Sequence, residues 1–235
     1  MTAFDPMQLI YVLIPMILAL TVHEYSHAWV AARLGDDTAA RQGRLTLNPI
    51  VHIDPIGTLL IPIVGLTAGV PFFGWARPVP IAPVQFSRKM RMKTGVLLTS
   101  AAGPLSNLLF GFLMALVLGL VAKAVGAGEL LRMLHQNQGI GVALVRLLGW
   151  VILINVGLFI FNLLPIPPLD GSGVVAGLLP DRYQEAYENF GRYSFILFIA
   201  ILVAGGSVIG YPVLWIVQGF SAVAGFPIWY AAWEV

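Results

Sequence analysis

The sequence predicts an all-α polytopic membrane protein with about five to six transmembrane segments in one domain, residues 1–235. Of its 235 residues, 58% are apolar and only 10% are charged, and the mean hydropathy is +0.86. Soluble domains are about 45–50% apolar and about 25% charged, so this chain has too few charges to form the surface of a cytosolic globule. Several apolar runs also reach the roughly 20 residues that a helix needs to cross a bilayer.

Two bulk properties exclude further classes of protein. The formal net charge of +2 is too small to indicate a polyanion, so no nucleic-acid partner is expected. The chain contains no cysteine, which excludes disulfides, thiolate zinc sites and cysteine nucleophiles. The expected surroundings are therefore the lipid bilayer, and any chemistry must come from other side chains.

The apolar runs predict the helices in order. The first, at about residues 7–34, is expected to be a spanning helix and not a cleaved signal peptide, because it is too long and contains charged residues. Three later runs, at about 94–121, 140–164 and 193–217, are also predicted to span. An apolar tail, 220–233, with three aromatic residues near its end is expected at the membrane interface.

Basic residues predict the orientation, because cytoplasmic loops carry an excess of Lys and Arg. Two such sets occur: Arg33, Arg41 and Arg44 after the first helix, and Arg88, Lys89, Arg91 and Lys93 before the next full span. If both sets are cytoplasmic, residues 45–87 must enter the membrane and return on the same side, as a re-entrant element. Its segment 70–83, which is rich in proline, is predicted to be an extended hairpin, and the N-terminus is predicted to lie outside.

The first helix contains the sequence HEYSH, residues 23–27. His23 and His27 are four residues apart, so both imidazoles lie on one helical face and can reach one zinc ion. Glu24 can then act as the general base on metal-bound water. The alternative, that these are incidental polar residues packed in a bundle, leaves unexplained why ionisable groups stand inside a spanning helix, where they are costly and usually functional.

A catalytic zinc needs a third protein ligand and an open position for water. Asp170 is preferred, because it follows the run 140–164 on the same side as the histidine pair and stands in a nearly charge-free stretch. Its alternative role is a helix N-cap. His52 and Asp54, at the start of the re-entrant stretch, remain alternatives. His135 lies in a polar segment on the other face and is expected to be a solvated loop residue.

Four further motifs accompany HEYSH: NLLPIPPLDG at 162–171, GPLSN at 103–107, LNPIVHIDPIGT at 47–58 and GWARPVP at 74–80. Together they resemble the site-2 protease family of intramembrane zinc metalloproteases, in a compact form without PDZ or CBS domains. The resemblance implies one catalytic zinc held by His23, His27 and Asp170, with Glu24 as the base. It also allows a substrate helix from a membrane-tethered regulator, an anti-sigma factor or a leftover signal peptide. The expected location is a prokaryotic cell membrane, and the basic sets predict that the site lies toward the cytoplasm.

Two asparagines are candidates for holding the substrate or its oxyanion, because an amide N–H can stabilise that charge. The resemblance favours Asn162, although an asparagine next to Pro165 can also satisfy backbone groups that the proline frees. Asn107 is the weaker candidate, because hydrogen bonding between helices on a small-residue face is slightly preferred for it. A substrate helix must unwind before cleavage, and an exposed edge within 70–85 is expected to hold the unwound strand by β-addition.

Other functions are weighed against this prediction. An intramembrane serine protease built on Ser172 lacks a partner histidine and the nucleophile-elbow pattern. A metal transporter or a metal-storing membrane protein accounts for buried His and Asp side chains but needs no general base, so Glu24 separates it from the protease. A purely structural membrane protein leaves the buried charges unexplained.

Overall fold

The computed structural model describes residues 6–69, 74–136, 139–204 and 206–232, and the regular structure in these ranges is helical. The helices are α1 Pro6–Arg33, α2 Thr38–Arg41, α3 Ile61–Ala68, α4 Met92–Val125, α5 Ala127–Gln136, α6 Ile140–Asn162, α7 Asp170–Leu178, α8 Gln184–Gly191, α9 Ser194–Ala204, α10 Gly206–Ala224 and α11 Ile228–Ala232. Short 3-10 turns occur at Pro49–Val51, Pro83–Gln85 and Asp181–Tyr183, and a π-helical turn at Pro55–Leu60.

Among the described residues, three helices, α1, α4 and α6, are by length and composition apolar enough to span a membrane. They correspond to the predicted runs 7–34, 94–121 and 140–164, and they confirm the all-α membrane class. The number of spans and the re-entrant path of 45–87 stay predictions.

The run 193–217, which was predicted as a single span, corresponds to α9 and α10, which are described on either side of position 205. Position 205 itself lies outside the described residues.

One smaller prediction is corrected. The polar segment around His135 was predicted as a loop, but it forms the amphipathic helix α5, which buries Leu130 and Leu134. In the predicted interfacial tail, Ile228 of α11 is completely buried, and the position of the tail at the membrane interface stays a prediction. α11 packs against α6, where Gly149 has no side chain to keep it away.

The core brings α4, α5, α6, α10 and α11 together around Leu118, Ile152, Val156, Val217 and Phe226, which are at most 1% exposed. Small residues allow the close approach, as is typical of membrane helices. A methyl carbon at Gly111 of α4 would touch the side chain of Asn155 of α6 at 3.4 Å. The three long helices α1, α4 and α6 pack against one another, and this contact sets the register of the polar side chains between them.

α7 lies directly on α4 because the side of α7 that faces α4 carries the glycines Gly173 and Gly177. A side chain at Gly173 would overlap the Ser100 hydroxyl, and one at Gly177 would overlap Leu97. The nine-residue helix can therefore approach the α4 backbone closely, and its first residue, Asp170, is carried to the middle of the bundle.

The predicted hairpin at 70–83 is described only in part, because residues 70–73 lie outside the described residues. Residues 74–82, hereafter the 74–82 segment, are irregular and hydrogen-bond to loops, with no strand partner in the described ranges. Pro78 and Pro80 have no N–H and are poorly suited to a strand ladder. Instead, the buried Arg44 side chain donates to the carbonyls of Arg77 and Pro78, at 2.6 and 2.8 Å.

The 74–82 segment is also tied to the region just beyond α1. The Ala82 N–H donates to Asp36 Oδ2 at 2.6 Å, and Ser87 N–H donates to Leu34 O at 2.7 Å. The C-terminal end of α1 and the residues that precede α4 therefore lie together at one end of the bundle.

Candidate metal centre

Three side chains converge between α1, α4 and α7. The potential ligand atoms of His23, His27 and Asp170 all lie within 4.8 Å of one another. Asp170 Oδ2 lies 3.0 Å from His23 Nε2, and Asp170 Oδ1 lies 3.3 Å from His27 Nε2. The two Nε2 atoms are 3.0 Å apart, as the i and i+4 spacing on α1 predicts.

The space between these atoms fits a metal ion. A methyl carbon at Gly103 of α4 would lie 2.7 Å from His23 Nε2 and closer still to His27 Nε2. Zinc binds imidazole nitrogen at about 2.0–2.1 Å, so the missing side chain leaves a position of suitable size beside both rings. Two imidazoles and one carboxylate are a typical donor set for catalytic zinc.

The outer ring nitrogens of both histidines are held by the bundle. His27 Nδ1 lies 2.7 Å from the carbonyl oxygen of Thr99 on α4, and His23 Nδ1 lies 2.7 Å from Asn107 Oδ1 on the same helix. Such contacts orient the rings so that Nε2 points toward a shared ion.

Glu24 stands next to the histidines but is held differently. Its side chain is almost completely buried, and its Oε2 accepts a hydrogen bond from the Val79 N–H at 2.7 Å. Val79 is the one residue of the PVP sequence at 78–80 that has an N–H. The 74–82 segment thus orients the carboxylate that the sequence predicts as the general base.

A cavity of about 500 Å³ opens beside the four polar side chains. Most of its wall is apolar and comes from α1, α6, α9 and the 74–82 segment: Leu20, Leu158, Phe198, Trp75, Val79 and Ile81. Thr99, Ser100 and Asn162 add polar groups. Such a chamber suits an apolar peptide whose backbone is presented to the polar cluster.

The structure separates the two candidate asparagines. Asn162, at the end of α6, lies on the cavity wall and donates from Nδ2 to Leu158 O at 3.0 Å. Asn107 is completely buried, lines no part of the cavity, and bonds to His23, to Ala19 O and to Asn155. This placement favours hydrogen bonding between helices for Asn107, not the substrate contact that was its weaker prediction.

The alternatives for the third ligand are engaged elsewhere. His52 Nε2 hydrogen-bonds to Thr46 O at 2.9 Å, and Asp54 accepts from the Ile56 and Gly57 N–H groups at 3.0 and 2.7 Å, as an N-cap. Asp170 itself is not a cap, since it is the first residue of α7 and its carboxylate contacts the two histidines. His135 is exposed on α5.

Sequence reasoning missed Asn155, which is completely buried in α6 and hydrogen-bonds to Asn107 at 2.9 Å. An available signal was its position, seven residues before Asn162 in a helix that is otherwise strongly apolar. The Val79 N–H and the Thr99 carbonyl left no signal, because backbone groups are present at nearly every position.

The chain resembles known proteins over most of its length. The model of peptidase family M50 matches residues 11–205. The chain is 41% identical over 205 residues to "Putative zinc metalloprotease YwhC" of Bacillus subtilis (strain 168), covering 87% of this chain and 85% of that protein. It is 29% identical over 195 residues to "Putative zinc metalloprotease Rip2" of Mycolicibacterium smegmatis, covering 83% of this chain and 67% of that protein. No solved structure matches the chain.

Proposed function

Because the chain belongs to peptidase family M50, the site-2 protease family of membrane-embedded zinc metalloproteases, we propose that it hydrolyses peptide bonds in or near the transmembrane segments of other membrane proteins. The observation that carries this proposal is the convergence of His23, His27 and Asp170 inside the bundle. His23 stands ten residues before Arg33, the last residue of α1, which corresponds to about 15 Å along the helix axis. A site at that depth would meet a substrate within the bilayer.

The chain's own residues supply a complete set of roles. Zinc held by His23, His27 and Asp170 would lower the pKa of its bound water and polarise the scissile carbonyl. Glu24, oriented by the Val79 N–H, takes the proton of the attacking water and passes it to the leaving amine. Asn162 donates to the developing oxyanion once its amide turns away from Leu158 O.

The substrate is an unwound segment of a transmembrane helix, because an intact helix hides its amide groups. Such a strand can lie along the 74–82 segment, which forms one wall of the cavity. Within the described residues, the N–H groups of Ala76 and Ile81 make no hydrogen bond and are available to the substrate backbone.

The site faces the cytoplasm, and the N-terminus lies outside, in a prokaryotic cell membrane. Two basic sets support this orientation, and the contact of Ser87 with Leu34 brings both to the same end of the bundle. The same contact supports a re-entrant path for residues 45–87.

A paired measurement of metal and activity tests the proposal. Purified protein should contain one zinc ion and cleave a model transmembrane substrate. Glu24→Gln should keep the zinc and lose cleavage, since the amide cannot accept the proton, whereas Asp170→Ala should lose the zinc. Undiminished cleavage by Glu24→Gln would refute the protease, and metal movement across vesicles without cleavage would support the transporter alternative.

A further inference from the structure

Two buried asparagines, Asn107 of α4 and Asn155 of α6, connect the candidate zinc ligand His23 of α1 to the two neighbouring helices. His23 Nδ1 lies 2.7 Å from Asn107 Oδ1, and Asn107 Nδ2 donates to Asn155 Oδ1 at 2.9 Å. Asn155 Nδ2 in turn donates to Val151 O at 2.8 Å. Both asparagines are 0% exposed, so water cannot replace any of these partners.

The direction of each hydrogen bond follows from groups that can only accept. Val151 O is a backbone carbonyl, so the atom of Asn155 that faces it must be the amide nitrogen, and its oxygen faces Asn107. Asn107 Nδ2 also donates to a carbonyl, Ala19 O, at 3.0 Å. Two acceptors therefore fix the amide of Asn107, and its oxygen faces His23.

An amide oxygen opposite His23 Nδ1 requires that this nitrogen carry a proton. Nε2 is then the nitrogen with the lone pair that can bind a metal. His27 reaches the same state through the Thr99 carbonyl, a backbone group that no side-chain substitution removes. For His23, by contrast, the proton on Nδ1 is held by side chains, those of Asn107 on α4 and Asn155 on α6.

We propose that Asn107 and Asn155 are positioning residues that hold His23 as the Nδ1-protonated imidazole, with Asn155 acting through Asn107. This inference rests on the proposed function, because it concerns the zinc ligand named there. The arrangement is strict, since a flipped Asn107 amide would point N–H groups at the His23 N–H and its oxygen at two acceptors. Hydrogen-bonded groups left unsatisfied in an apolar bundle are strongly disfavoured.

The hydrogen bonds that link His23, Asn107 and Asn155 can be tested by the zinc affinity of the full-length protein in detergent. Competition with a chromophoric chelator measures this affinity. Asn107→Leu should bind zinc about 10–100-fold more weakly, which is the usual effect of losing such a partner. Asn155→Leu should have a smaller effect in the same direction, because Ala19 O still holds Asn107. The double variant should match Asn107→Leu, since Asn155 acts only through Asn107.

Val156→Ala is the matched control, because Val156 is adjacent, also 0% exposed, and packs in the apolar core. It should reduce stability and leave zinc affinity unchanged. Unchanged affinity in Asn107→Leu, or additive losses in the double variant, would overturn the inference. If the unmodified protein binds no zinc, the proposed function itself fails.

A second measurement does not depend on the folding of any variant. The chain has four histidines, so its ¹⁵N-histidine NMR spectrum contains few ring signals. In both the metal-free and the zinc-loaded protein, the Nδ1 of His23 should carry a proton. A bare Nδ1 on His23 in the unmodified protein would contradict the inference directly.

Discussion

At the scale of single residues, Gly103 decides whether the two histidines can share an ion. At this position α4 passes close to both Nε2 atoms, and a methyl carbon there would lie 2.7 Å from His23 Nε2. That is too close for an ordinary contact and occupies the side of the rings on which an ion would bind.

Gly103→Ala should therefore weaken zinc binding at least tenfold, a loss like that caused by disturbing the partners of metal ligands. Zinc content after dialysis against a weak chelator measures this effect. Gly157→Ala is the control, because a methyl carbon at Gly157 of α6 meets no atom within 4 Å. Equal zinc retention by the two variants would show that the space beside Gly103 is not needed.

Asp36 holds the 74–82 segment by its charge. Its carboxylate accepts from Thr38 and from the Ala82 N–H. Burial raises the pKa of Asp36, but these hydrogen bonds outweigh it and leave the pKa below its ordinary value. Because the folded pKa lies below the unfolded one, this stabilisation is present above the ordinary carboxyl pKa and is lost as pH falls through the folded value.

Asp36→Asn should lower the free energy of unfolding by about 1.5–3 kcal/mol near neutral pH, the range for hydrogen bonds to charged groups. The difference from the unmodified protein should shrink in acid, where Asp36 becomes protonated. Thermal unfolding in detergent across this pH range checks it. Asp37→Asn is the control, because Asp37 is an exposed neighbour paired with Arg41, and it should change stability little. If Asp36→Asn remains less stable than the unmodified protein in acid, the charge of Asp36 is not the cause.

The residues of the site differ in how far sequence could predict them. His23, Glu24 and His27 follow from helical spacing alone, because all three lie within two turns of one helix. Asp170 could not be separated from His52 and Asp54 by residue type, since the choice depends on how α7 packs against α4. Asn155 belongs to the same class, because its importance arises from a partner on another helix.

At the scale of elements, α7 delivers Asp170 only because Gly173 lets it rest on α4. Gly173→Ala should push α7 away from Ser100 and reduce zinc affinity about tenfold or more, since the carboxylate moves with the helix. Adding Ser100→Gly should restore much of the affinity, because it removes both clashing atoms. Failure of this double variant to recover, with both proteins folded, would argue against packing as the cause.

The 74–82 segment makes a separate prediction about the substrate. Ile81→Pro removes an N–H that makes no hydrogen bond within the described residues, so cleavage should slow about tenfold or more while zinc content stays unchanged. Ile81→Val keeps the N–H and should cleave at nearly the normal rate. Equal rates for the two variants in a model-substrate assay would exclude backbone pairing at this position.

Long helices were predictable as elements, and the 74–82 segment was not. α1, α4 and α6 follow from the length and apolarity of their runs. The 74–82 segment takes its path from Asp36, Arg44 and Glu24, which precede it by about 30 to 60 residues, and no local pattern encodes such contacts.

At the scale of the whole molecule, the proposed orientation in the membrane rests on where the basic sets lie. The chain has no cysteine, so single cysteines can be placed without background. In inverted vesicles, Gln42→Cys and Lys89→Cys should react with an impermeant maleimide, and Gly128→Cys, beyond the far end of α4, should not. Labelling of Gln42→Cys and Lys89→Cys from opposite sides would contradict the re-entrant path.

The fold class of the molecule was predictable from the sequence, and the position of its central cavity was less predictable. Ten per cent charged residues and long apolar runs suffice for an all-α membrane protein. The position of the cavity is a product of tertiary packing, since its wall combines α1, α6, α9 and the 74–82 segment.

The three candidate ligands also impose an order on biosynthesis. His23 and His27 leave the ribosome early, and Asp170 follows after roughly 140 residues, which at ~5–20 residues per second takes on the order of 7–30 seconds. Until then the nascent chain holds only part of the donor set, so α1, α4 and α6 are synthesised before a complete zinc site can form.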